Sequence, residues 1–226
     1  VLSGVDAATL AAAERTGAAT TQHQSRVAPF IDLGAIPPGE TYIDQLSRNA
    51  RAQLRRSDRA YAATGPLRIE RARTVAEGLQ FLDALIVLHT ATWRARGRPG
   101  AFATPVVRAF HQALVRRGIP GEVALFRITA GSTAIGYLYN LEHEGRACTY
   151  QSGFDYPGGG GTPMKPGLTC HHLAIEAHRA GGGTEYDFLG GADRYKLSLA
   201  TSTRPLHWLT LTPHWHPAAL MDRFRR

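Results

Sequence analysis

Only two lysines, Lys165 and Lys196, occur in a chain whose positive charge is otherwise carried by arginine. Lys165 lies in the stretch Pro157-Gly158-Gly159-Gly160-Gly161-Thr162-Pro163-Met164-Lys165-Pro166-Gly167, and Leu168 opens a helical pattern directly after it. Glycines let backbone N–H groups approach a ligand closely, and a helix start presents unpaired N–H donors with partial positive charge. Lys165 adds a full charge there, which is the chemistry of a pyrophosphate seat; a plain surface loop is the alternative. The stretch lacks the Gly-Lys-Ser/Thr ending of a P-loop, which argues against nucleotide hydrolysis. His89 and Trp93 share a helical stripe, where a satisfied core histidine is the commoner outcome and a general base the functional one. Tyr150 and Gln151 are adjacent on a strand, so strict alternation sends one to a cleft and the other to the core. His171-His172 and the trio His207, His214 and His216 have no Cys or carboxylate at a recognised ligand spacing, so no metal is expected. Cys148 has no evident histidine partner in sequence, and thiol catalysis has little support.

The chain has 226 residues, with 26 Lys+Arg against 18 Asp+Glu and a formal charge of +8. That surplus suits phosphate-bearing partners such as coenzyme A, nucleotide-sugars or RNA without choosing among them. At 43% hydrophobic residues the composition supports a folded core. No apolar run approaches the length of a membrane span, no secretory signal is expected because Val1 onward lacks a basic flank followed by an apolar segment, and two cysteines make no disulfide scaffold. A cytoplasmic protein is expected. The chain begins at Val1 without a Met, which suggests that sequence upstream is absent.

The elements that must position these residues follow from periodicity. Residues 1–25 read as a short helix and a tail, and residues 26–226 as the functional domain. A strand is expected at Phe30–Leu33, then a helix from Tyr42 to about Tyr61, carrying Arg48, Arg51, Arg55, Arg56 and Arg59. A strand follows at Leu67–Glu70. Helices are expected over about Val75–Arg94 and Pro105–Arg117, the latter with Val107, Phe110 and Leu114 inward. Three alternating segments, Glu122–Thr129, Thr133–Leu141 and Arg146–Phe154, are joined by turns too short for anything but an antiparallel meander. A helix over Leu168–Ala180 then crosses to a strand at Glu185–Leu189, which argues for a parallel pair. A short helix at about Asp193–Ala200 and a strand at Leu206–Leu211 complete a mixed α/β domain with helices on both sheet faces.

This order resembles the core of the GNAT acyltransferase superfamily. Several segments more narrowly resemble the cellulose-biosynthesis (CelD-like) acetyltransferases and the related Fem peptidyltransferases. They are Arg51-Ala52-Gln53-Leu54-Arg55-Arg56, Leu88-His89-Thr90-Ala91-Thr92-Trp93-Arg94-Ala95-Arg96-Gly97 and Gly100-Ala101-Phe102-Ala103. Later ones are Tyr150-Gln151-Ser152-Gly153-Phe154-Asp155, Lys165-Pro166-Gly167, and Tyr186-Asp187-Phe188-Leu189-Gly190-Gly191 with Tyr195-Lys196. The likeness covers roughly residues 26–212. Such families often have two lobes, so a separate N-terminal lobe or a homodimer is a candidate partner.

The resemblance implies transfer of an acyl group, acetyl by preference, from acyl-CoA to an amine on a sugar or a polysaccharide precursor. It implies a donor arm bound between two strands that splay apart, here Arg146–Phe154 and Glu185–Leu189. It assigns charge stabilisation to Lys196, with an exposed helix lysine as the alternative, and orientation of an amine or of Lys196 to Asp187, which could equally fix the adjacent turn. His89, Gln151 and Tyr150 become further catalytic candidates. Donor contacts fall to Lys165, Pro166, Gly167, Leu168, Gly153 and Tyr195, and acceptor contacts to Trp93, Arg94, Arg96 and Phe102. The Arg/Gln-x-x-Gly-x-Gly/Ala loop of acetyl-CoA users is not matched by 157–167. The Fem branch takes its acyl group from charged tRNA, for which Arg51, Arg55 and Arg56 are the candidate contacts. A non-catalytic binding lobe is the remaining alternative.

Overall fold

The computed structural model describes residues 1–157 and 162–213; Gly158–Gly161, His214 and His216 of the sequence reading lie outside them. In chain order the elements are β1 (Leu2–Val5), α1 (Ala7–Arg15), β2 (Ala19–Asp32), a 3-10 turn (Tyr42–Gln45), α2 (Arg48–Ala62), β3 (Leu67–Arg71), α3 (Val75–Ala95) and α4 (Pro105–Gly118). They continue with β4 (Val123–Ala130), β5 (Thr133–His143), β6 (Arg146–Phe154), α5 (Pro166–Ala180), β7 (Glu185–Asp187), α6 (Arg194–Leu199) and β8 (Ser202–Thr212). The described residues divide into two compact units, one within Ile31–Phe188 and the other made of Val1–Phe30 with the described residues from Leu189 on. No helix among the described residues is long and apolar enough to cross a membrane.

In the Ile31–Phe188 unit the strands lie in the order β7-β6-β5-β4-β3. Strands β3 to β6 pair antiparallel, as the meander pattern requires, and β6 pairs parallel with β7. The β5–β6 turn places both Glu144 (φ 46°) and Gly145 (φ 78°) in the left-handed region, a geometry whose twist matches the flanking strands.

One sheet face is covered by α3 and α4. There Phe81, Leu82, Leu85 and Ile86 pack with Val115, Ile119, Leu125 and Tyr139. Helix α3 starts at a reciprocal cap in which Thr74 Oγ1 accepts from Glu77 N (3.2 Å) and Glu77 Oε2 accepts from Thr74 N (3.2 Å). The other face is covered by α5, with α2 packed on it. Leu54, Ser57 and Tyr61 of α2, and Thr169, Cys170, Ala174 and Ile175 of α5, are buried.

Helix α4 departs from the expected orientation. His111 and Val115 are its buried residues, whereas Phe110 is 57% exposed. The helix therefore turns the stripe Val107-His111-Val115 inward, one position round from the Val107-Phe110-Leu114 stripe read from the sequence. Hydrogen bonds to the His111 ring, described below, offset the cost of burying it.

In the second unit β8 pairs antiparallel with β2, from Ala19↔Thr212 to Phe30↔Ser202, and with β1. The expected strand at Phe30–Leu33 is the end of this much longer β2. The residues expected as a short helix and tail form β1, α1 and the start of β2. Arg26 lies over the Trp208 ring (5.1 Å) and Arg204 over the Phe30 ring (4.4 Å).

Gly153 shows how closely α3 sits on β6. A Cβ there would stand 2.5 Å from Leu85 O and 3.1 Å from Leu85 Cα, both backbone atoms that cannot swing away. Gly153→Ala is expected to destabilise the fold by about 1–3 kcal/mol, as overpacking does, read as a lower Tm in thermal unfolding.

Candidate functional site

Strands β6 and β7 are paired only over Arg146↔Glu185, Ala147↔Tyr186 and Cys148↔Asp187, while β6 runs on to Phe154. Strand β7 stops because the chain turns at Leu189, whose φ of 58° is a left-handed conformation uncommon for a non-glycine residue. Asp187, fully buried, is bonded to the Arg146 guanidinium across the last part of the pair. Its carboxylate thus braces the point of divergence.

Beyond that point the backbone of β6 presents an edge. Asp155 N donates to Ile135 O (3.1 Å), so by antiparallel alternation Gly153 and Gln151 also bond toward β5. The peptide groups of Ser152 and Phe154 point the other way, to the side that β7 has left. Ser152 O is met there by His89 Nδ1 at 3.1 Å.

His89 has both ring nitrogens engaged. A carbonyl can only accept, so Nδ1 carries the proton toward Ser152 O, and Nε2 accepts from Ala101 N at 3.0 Å. This is the neutral ring, and burial lowers its pKa from the ordinary imidazole value, partly offset by the Ser152 carbonyl. Accepting a proton would destroy the Ala101 bond. The general-base role offered by the sequence is therefore not what these surroundings favour; His89 ties α3 to β6 and to the 97–101 segment. Phe102 is also corrected. It is 1% exposed, edge-on to His89 (5.2 Å) and His111 (5.4 Å), and in this structure it is a core residue rather than an acceptor contact. Trp93 is half-buried with Arg96 over its ring at 5.7 Å, and Arg94 is exposed.

A register shift in β6 overturns the expectation that Tyr150 and Gln151 face opposite ways. Tyr139 pairs with Gln151 and Asn140 with Thr149, leaving Tyr150 as the extra residue of a bulge. A bulge sets two residues against one on roughly the same side. Gln151, opposite Tyr139, and Tyr150, in ring contact with Tyr139 (5.5 Å), accordingly both face α3 and α4. Tyr150 Oη is 3.2 Å from His111 Nε2, and Tyr139 Oη is 3.4 Å from His111 Nδ1. Burial pushes Tyr139 up to about 12 and raises Tyr150, while it lowers His111. His111 was missed in the sequence reading; the four-residue spacing of Val107, His111 and Val115 was the available signal.

The start of α5 has no side-chain cap of its own. Ser57 of α2 serves instead: its Oγ accepts Lys165 N at 2.9 Å and stands 3.0 Å from Lys165 O and 2.8 Å from Thr169 Oγ1. His172 Nδ1 meets Asp58 Oδ2 at 2.8 Å. These bonds hold Lys165, Pro166, Gly167 and Leu168 against α2, with Gly167 packed under the Phe154 ring. Arg55, Arg56 and Arg59 line an open cavity of about 510 Å³ on α2; Arg51 and Arg55 also approach Asp44, at 3.8 and 3.9 Å.

Lys196 and Tyr195 belong to the other unit, on α6. The Lys196 side chain is 12% exposed, with Nζ 3.2 Å from Gly190 O and 3.8 Å from Asp193 Oδ2, so it is not a freely exposed helix lysine. Within its own unit it gathers the Gly190-Gly191 turn.

A family model described as an acetyltransferase (GNAT) domain matches residues 48–197. The chain belongs to that family. No curated protein matches it. Among solved structures, the C-terminal domain (DUF2156) of a protein described as a lysylphosphatidylglycerol synthetase from Agrobacterium fabrum aligns at 13% identity and TM-score 0.60, over 98% of this chain and 71% of that one. L-PGS from Bacillus licheniformis aligns at 11% identity and 0.60, over 99% and 71%. FemX aligns at 10% identity and 0.60, over 97% and 71%. At such identities the likeness is one of fold.

The His89 bonds predict a pH dependence. Its pKa is lower in the folded protein than the ordinary 6.5, so the unfolded chain binds more protons as pH falls below that value, and folding weakens there. The denaturant midpoint is expected to fall between pH 7 and pH 5, and His89→Gln, which keeps amide hydrogen bonding but cannot titrate, is expected to flatten that limb.

Proposed function

We propose that the protein is an N-acyltransferase that moves an acyl group, acetyl by preference, from acyl-CoA to an amine of a sugar or a polysaccharide precursor. The observation that carries this reading is the divergence of β6 from β7 with β6 continuing past it. An extended pantetheine-like arm adds to such an edge as a strand would, using Ser152 N and the Phe154 peptide group, while Ser152 O stays with His89. The donor's phosphates then fall to the start of α5, where Lys165 supplies charge. In this reading the reaction is direct attack of a neutral amine on the thioester carbon. It needs a proton acceptor for the amine and positive charge near the developing oxyanion. Lys196 is the charge we assign, Gln151 an orienting amide beside the bulge, and Tyr195, Trp93, Arg94 and Arg96 are the flanking contacts. No metal is invoked, and the cytoplasm, where acyl-CoA is made and used, is the compartment we assign.

Purified protein is expected to release free thiol from acetyl-CoA in the presence of an amine panel. Lys196→Ala is expected to lower kcat by about 10²–10³-fold, as loss of one oxyanion donor does. Absence of thiol release would sink the reading, whether or not CoA binds.

A second reading, transfer from aminoacyl-tRNA, is favoured by the arginine face of α2 and by the fold shared with FemX. Changing Arg51, Arg55 and Arg56 to Ala is expected, under that reading only, to abolish salt-sensitive tRNA binding. A separate N-terminal lobe, a homodimer, or a role as a non-catalytic lobe would each show in the assembly state and activity of the longest natural chain.

A further inference from the structure

We infer that Tyr150 and His111 form a proton relay that takes the proton of the attacking amine, Tyr150 meeting the amine and the buried His111 storing the charge. The inference rests on the acyltransfer reading above and supplies the proton acceptor that reading lacks, since both His89 nitrogens are committed and Asp187 is bonded to Arg146.

Three observations converge. The bulge puts Tyr150 on β6 just past Cys148, where β7 has departed, and turns it to the same side as Gln151. Its hydroxyl is within hydrogen-bond reach of His111 Nε2 (3.2 Å), and His111 Nδ1 faces the Tyr139 hydroxyl (3.4 Å). Exposure falls along the chain, from a half-buried Tyr150 to His111 at 3% and Tyr139 at 0%. A proton enters from one end only.

The tautomer follows from the direction of transfer. With Nδ1–H donating to Tyr139 Oη, Nε2 accepts the Tyr150 O–H, and a lone pair of Tyr150 Oη is left for the amine. As the amine nitrogen bonds to the acyl carbon, one N–H bond breaks and its proton passes to Tyr150 Oη. The proton already on Tyr150 moves to His111 Nε2, giving imidazolium. The carbon–sulfur bond then breaks, and the proton returns from Nε2 through Tyr150 to the thiolate. Thioester plus amine become amide plus thiol, with no other reactant. Burial lowers the His111 pKa, so the ring is neutral at neutral pH and gives the proton back readily. The titratable groups facing it are Tyr139 from β5, Tyr150 from β6, and His89 of α3 behind the Phe102 ring; Arg108, on its own helix, is turned to Phe102 O (2.7 Å).

The test has one arm independent of activity. Nitrogen-15 NMR of the free full chain is expected to show His111 protonated at Nδ1 and bare at Nε2; the opposite tautomer overturns the relay. In the thiol-release assay with acetyl-CoA and the amine panel, Tyr150→Phe and His111→Gln are each expected to lower kcat at least about a hundredfold, with KM for acetyl-CoA little changed. His111→Gln is also expected to remove the acidic limb of the kcat/KM profile, and the double variant to be no slower than the slower single one, as for groups acting as a unit. An unchanged kcat in Tyr150→Phe, or losses that multiply in the double variant, overturns the relay while leaving the transferase reading standing. No thiol release by the unaltered protein removes both. Should His111→Gln fail to fold, Tyr150→Phe, which removes one oxygen atom, and the NMR arm still decide.

Discussion

Two parallel strands that begin together and then part company impose a constraint on everything around them. Backbone polar groups freed from a ladder must find other partners or stay reachable by solvent or ligand. In this chain the parting is enforced from both sides. The Arg146–Asp187 ion pair fastens the paired part, and the left-handed Leu189 prevents β7 from following β6 further. The bulge at Tyr150 then re-aims the side chains of the longer strand just where its neighbour has gone. Ion pair, turn and bulge each cost something alone. Together they define a wedge with a fixed rim, the form in which local irregularity is retained at functional places.

The fold was largely legible in the sequence because its strongest signals are local. Alternation over 122–154 with two short turns leaves little besides a meander, and a helix between two strands leaves little besides a parallel crossover. What escaped depends on contacts distant along the chain. Strand β2 runs from Ala19 to Asp32 through Thr-, Gln- and Ser-rich sequence with no clean alternation, and its strand character comes from pairing with β8. The inward face of α4 was misread because Phe110 outranks His111 on any hydrophobic scale, yet hydrogen bonds to two tyrosines decide the matter.

The site was legible at the level of segments and not of roles. The stretches around Tyr150, Lys165 and Asp187 do border the divergence or the start of α5. Individual functions depended on atoms that spacing cannot place: Ser57 completing the α5 cap across more than a hundred residues, the Ala101 amide closing off His89, and one extra residue in β6 bringing Tyr150 and Gln151 to the same side. Strict alternation fails at a bulge by definition, so the strand position most relevant to chemistry was the one where the sequence rule misled.

The two bonds of the His89 ring are not equivalent under acid. An added proton lands on Nε2 and turns an acceptor into a donor that confronts the Ala101 amide, while Nδ1 keeps its grip on Ser152 O. Acidification would therefore unlatch the Gly97–Ala101 segment first and leave the strand rim anchored. The molecule has a preferred place to begin coming apart, and it lies on the helix side of the wedge.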